Sequence, residues 1–112
     1  MKLEELALCT REEFELELNK LCPEPTDDMD PGERDAVFEK RVSIRRSIRR
    51  LRIEALLDGR LTVDQVVDQE HDEDHDIDGI HRDILKKALK EFNEGKNRSE
   101  IIEETFNALE QH

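Results

Sequence analysis

From Glu33 to Asp58 the chain contains neither proline nor glycine. A run of that length predicts a single helix roughly 39 Å long, at about 1.5 Å of rise per residue. Its start is marked by Asp30 as a capping residue, Pro31 at the first helical position and Glu33 three residues past the cap. Its stop is Leu57-Asp58-Gly59, where the glycine is free to adopt positive φ. A rod this long in a chain of 112 residues obliges every other element to pack along it.

Two apolar tracks run along the rod. Val37, Ile44, Ile48, Leu51 and Ala55 recur at helical spacing and form a core-facing stripe. Phe38, Val42, Ile53 and Leu56 make a second, ragged track around the side. Two tracks predict a helix contacted from two directions, as a central bundle helix or a dimer element would be. Arg41, Arg45, Arg46, Arg49, Arg50 and Arg52 share the same helix. Arg46 and Arg50 point away from the main stripe. Arg45, Arg49 and Arg52 lie in or beside the second track, where their stems can cover apolar surface while the heads reach charge.

That basic helix sits inside a strongly acidic chain, with 30 Asp and Glu against 18 Lys and Arg and a formal charge of -12. Leu61 to Asp83 alone carries nine acids and one arginine. The acidic blocks are expected to fold back onto the arginines. The balance disfavours nucleic acid and anionic membrane as bulk partners and favours a protein with a basic surface. No apolar run is long enough to span a bilayer, and Met1 to Leu8 reads as no secretory leader, so a cytoplasmic location is expected. Cys9 and Cys22 flank a helix of about three turns, are not spaced as a metal pair, and read as reduced small hydrophobes.

The remaining elements are also helical. Leu3, Leu6 and Ala7 suit a short turn or two. Thr10 and Glu13 form a capping box ahead of Phe14, Leu18 and Leu21, with Glu12, Glu13, Glu15 and Glu17 on the other faces. Residues 22–31 are a Pro/Asp-rich loop. Thr62 and Gln65 cap a short helix to about Glu70, and Ile80, Ile84, Leu85, Ala88, Leu89 and Phe92 define a helix that ends at Gly95. Asn97 caps the last helix, which carries Ile101, Ile102, Phe106 and Leu109. The expected fold is all-α: one domain over residues 1–112, a small four- to five-helix bundle with one long central helix.

The densest chemistry lies in residues 71–79, read as an acidic turn. Asp74-His75-Asp76-Ile77-Asp78-Gly79 resembles the opening of an EF-hand calcium loop, with carboxylates at loop positions one, three and five and glycine at six. It departs at the eighth position, His81, and at the twelfth, where Leu85 replaces the bidentate glutamate. Read instead as a transition-metal site, His71 and His75 are one helical turn apart, with Asp74, Asp76 and Asp78 as oxygen donors. A weak divalent cation is the only cofactor these residues suggest. No nucleophile constellation or phosphate loop is present. Glu54 and Asp58 with Glu70, Asp74 and Asp78 are the best set for a metal-dependent helical enzyme.

The composition is best read as a non-catalytic, acidic protein-binding module: an inhibitor, an immunity or antitoxin-like protein, or an assembly chaperone. Glu12, Glu13, Glu17, Asp72, Asp74, Asp76 and Asp78 are the candidate contacts for a basic surface, with Arg46 and Arg50 giving register or a homodimer contact. The alternatives are a divalent-metal module or enzyme built on His71 to Asp78, and a nucleic-acid binder using the Arg41–Arg52 helix.

Overall fold

The structure is a computed structural model that describes residues 2–70 and 75–111, with the side chains of 75–78 left out. Among the described residues six helices follow one another: α1 (Leu3–Leu8), α2 (Arg11–Leu21), α3 (Pro31–Leu57), α4 (Val63–Gln69), α5 (His75–Asn93) and α6 (Arg98–Glu110). No strand occurs among the described residues. The expected all-α bundle with a long central helix is the observed architecture, with the short α1 added.

Local chemistry sets most of the boundaries. The Thr10 hydroxyl accepts from the Glu13 backbone, and the Asn97 side chain accepts from Ser99 and Glu100. Thr62 and Gln65 make the full reciprocal box, which matters for a helix of only seven residues. Asp30 and Pro31 open α3 as expected, but the Asp30 side chain makes no capping hydrogen bond. Gly59 and Gly95 close α3 and α5 at φ 81° and 91°.

α3 is the spine. α1 packs on it from one side, α4, α5 and α6 touch it from another, and α5 and α6 pair with each other. The larger core joins Ile53, Leu56, Val66, Leu85 and Ile101, among others, around the C-terminal half of α3. A smaller core of Leu6, Ala7, Phe14, Leu18 and Ile48 lies nearer its middle. The molecule is 52 Å long, and its radius of gyration of 15.2 Å exceeds the roughly 13 Å of a compact chain this size.

Three local expectations are corrected. Leu21 is half exposed, because α2 ends there and only Phe14 and Leu18 are buried against α1 and α3. On α5 Leu85 and Ala88 are buried and Ile84, Leu89 and Phe92 pack against the same core, as expected, but Ile80 is exposed and His81 is buried at the N-terminal end of the face instead. The expected acidic turn is corrected over residues 75–79, while 71–74 lie outside the described residues. Residues 75–79 belong to α5, and Gly79 is helical, so it does not serve as the tight-turn glycine of a calcium loop.

Candidate functional site

The arginines of α3 meet acids drawn from four other segments. Arg45 pairs with Glu15 of α2 at 3.1 Å, and Arg46 and Arg49 reach Glu110 of α6 at 3.5 and 2.8 Å. Arg50 pairs with Glu103 and stacks 4.8 Å from the Phe106 ring. Arg41 is buried and donates to the Cys22 carbonyl at 2.6 Å and to Asn19 at 3.0 Å, with Glu24 at 3.7 Å. Glu15 and Glu24 of the acidic N-terminal stretch fold back onto the basic helix as expected, while Glu103 and Glu110 come from α6, outside the acidic blocks.

At the centre sits Glu70, just past α4. Arg49 donates to its Oε2 from Nε and Nη2 at 3.1 and 3.0 Å, and Arg52 Nη1 donates to Oε1 at 2.8 Å. Arg52 is only 4% exposed, and its guanidinium lies 5.1 Å from the Phe14 ring. Burial alone would push the Glu70 carboxyl up, but the two guanidiniums override it and hold the pKa below the ordinary 4.5. Next to it, Gln69 Nε2 donates to the Ala7 and Cys9 carbonyls at 2.9 and 2.7 Å, capping the end of α1. This polar layer ties α1 and α2 to α4 across α3.

The sequence contained a signal for the two buried arginines. Arg41 falls between Val37 and Ile44, and Arg52 between Ile48 and Ala55, at helical spacing within the main stripe. The stripe skips a turn between Val37 and Ile44, where Arg41 sits; at Arg52 it already holds Leu51, and the arginine lies beside it. The Arg52 head reaches charge as expected, but it does so in the interior, because Glu70 is carried in to meet it.

The other face of α3 is open. Leu3, Phe38, Val42, Leu51 and Phe106 line a groove of about 880 Å³, with Arg46 and Arg50 along it. Phe38 is 64% exposed. The second apolar track is thus divided: Ile53 and Leu56 are buried under α4 to α6, while Phe38 and Val42 extend beyond those helices.

The predicted site residues do not gather in one place. Glu12 and Glu13 are exposed on α2, and Glu17 pairs with Lys20 at 3.2 Å. Arg46 and Arg50 are engaged by α6. His71, Asp72 and Asp74 lie outside the described residues, as do the side chains of His75, Asp76 and Asp78. Glu54, Asp58 and Glu70 form no metal set: Asp58 is held by Arg60 and Arg98, and the Arg98 hydrogen bond lowers its pKa. Among the described residues no three His, Cys, Asp or Glu side chains converge as a metal site. Cys9 and Cys22 form no disulfide. Burial raises the Cys9 thiol pKa, and Glu13 adds to the rise, so it is not an activated nucleophile. Among the described residues no helix is long and apolar enough to cross a membrane.

Compared with known proteins, the chain matches no family model, no curated protein and no solved structure.

Proposed function

We propose that this protein is a non-catalytic binding module that seats a basic, amphipathic segment of another protein on the open face of α3. The observation that carries this is the groove around Phe38, which leaves that ring 64% exposed beside the half-buried Val42 and Leu51 and the charged Glu39, Arg46 and Arg50. A helix placed there would put apolar side chains on Phe38, Val42 and Leu51. Its lysines and arginines would meet exposed acids such as Asp35 and Glu39. The chain's charge of -12 attracts such a segment and opposes a second copy of itself. A nucleic-acid role is weaker, because the α3 arginines that phosphate would need are already held by glutamates.

A photocrosslinking residue at position 38 tests this. Irradiation in the cell is expected to give an adduct to a lysine- or arginine-rich segment of another protein. That segment, made as a peptide, should bind the wild type at least tenfold more tightly than Phe38→Glu and weaken as salt rises. A self-adduct would assign the groove to a homodimer instead. No adduct beyond that from the same probe at Asp64 would end the proposal.

A further inference from the structure

The chain uses one contact twice. Arg50 of α3 lies with its guanidinium 4.8 Å from the centre of the Phe106 ring and pairs with Glu103. Arg52 lies 5.1 Å from the Phe14 ring and pairs with Glu70 at 2.8 Å. In each case one guanidinium gives its face to an aromatic ring and its N–H groups to a carboxylate. The two contacts do not compete, because the ring attracts the cation through its π-face while the carboxylate accepts in the guanidinium plane.

On α6 the carboxylate and the ring come from one helix. Glu103 precedes Phe106 by three residues, so both side chains stand on the same face of adjacent turns. Asp35 and Phe38 repeat that spacing on α3. Here the arginine is missing from the set: Phe38 is 64% exposed, Asp35 is exposed, and among the described residues no guanidinium lies on the ring or pairs with the carboxylate. The arginines on this stretch of α3 are held elsewhere. Arg34 donates to the Thr26 and Asp27 carbonyls, Arg41 to the Cys22 carbonyl and Asn19, and Arg45 to Glu15. Lys40, two residues past Phe38, projects from the far side of the helix. Asp35 is one methylene shorter than Glu103, and Glu39, exposed beside Phe38 in the groove, is a second acceptor.

Resting on the groove as the seat of a partner segment, we infer that the side chain laid over the open face of Phe38 is an arginine of that segment, stacked on the ring and donating to Asp35. The apolar side chains of the segment meet the ring edge, Val42 and Leu51. The groove's own cations, Arg46 and Arg50, lie about two and three turns further along α3 and are paired with Glu110 and Glu103, so the Phe38 end is the one that attracts positive charge. Lysine does not substitute. Its ammonium is a compact, strongly hydrated charge without a flat face, whereas the guanidinium is planar, weakly hydrated and able to stack and donate at once.

A phage-displayed library of amphipathic helical peptides, panned against the full chain, supplies the probe. Peptides whose binding is lost in Phe38→Glu are kept. They are expected to share an arginine, and changing it to lysine should weaken binding to the wild type about tenfold. The same change should cost about twofold or less against Phe38→Leu, which keeps an apolar side chain and removes the ring. Asp35→Asn should weaken the arginine peptides about fivefold, while Asp64→Asn, the same change of charge outside the groove, should not. Phe38-dependent peptides with no shared arginine, an equal arginine-to-lysine loss in the wild type and Phe38→Leu, or equal effects of Asp35→Asn and Asp64→Asn would overturn the inference and leave the groove standing. If no peptide depends on Phe38, the groove reading falls and the arginine seat falls with it.

Discussion

Glu70 is the residue on which the internal charge balance turns. Its side chain is 8% exposed and holds Arg49 and Arg52 together. Removing it leaves two guanidiniums without their shared partner, one fully buried, and the expected loss is about 3–5 kcal/mol for Glu70→Gln at pH 7. The pH dependence has a definite sign. The folded carboxyl titrates below its ordinary 4.5, so its contribution is complete above that value and is lost as pH falls through the folded pKa. Urea unfolding at pH 7 and at pH 3 should show the wild type losing stability between them and Glu70→Gln losing much less. Parallel declines in the two proteins would remove Glu70 from the account. A glutamate immediately ahead of the acidic 71–79 stretch gives no hint of this role, because the arginines that define it lie on another helix.

The helices themselves divide into those whose ends are set by side-chain caps and those set by glycine. At Gly59 a Cβ would meet nothing within 4 Å, so the cost of Gly59→Ala is conformational alone: about 1–2 kcal/mol for a left-handed residue. Gly79 gives the opposite result. It is helical in α5 and its added Cβ is equally unobstructed, so Gly79→Ala should stabilise by about 0.5–1 kcal/mol. Thermal melts of the two variants read both signs. A loss at Gly79 would restore the tight turn that the calcium-loop pattern of 74–79 requires. The competing readings differ because carboxylates at alternate positions suit a loop, while His75 to Asn93 also continue smoothly into an amphipathic helix with Leu85 and Ala88 on its buried face.

At the scale of the whole molecule, α3 threads two cores of unequal size joined by a polar layer. The smaller, around Leu6, Phe14 and Ile48, buries less apolar surface than the core of α4 to α6. Local opening follows buried contact, so α1 and α2 should open without the rest of the domain. Native-state hydrogen exchange is expected to show lower protection in α1 and α2 than in α5 and α6. Equal protection throughout would mean that the Arg49–Arg52–Glu70 layer couples the two cores into one cooperative unit. The open groove lies along α3 beside both cores, so occupation there should raise protection in α1, through Leu3, and in α6, through Phe106.

Much of the fold was legible because its determinants are local. The α3 span follows from the gap between Pro31 and Gly59, and the α4 and α6 starts follow from Thr62-Gln65 and Asn97, all within a few residues of the bonds they make. Even the fold-back of acids onto arginines followed from the blocky charge, although not which acid meets which arginine. Those pairings depend on residues far apart in the chain: Arg49 meets Glu110 across 61 positions, and Gln69 reaches Ala7 across 62. Periodicity placed Phe38 and Ile53 on one track, but only the lengths and docking of α4 to α6 decided that Ile53 is buried and Phe38 left uncovered. The same holds for the Arg49–Arg52–Glu70 layer, since a helix pattern records which side chains share a face and not what the neighbouring helices bring to it.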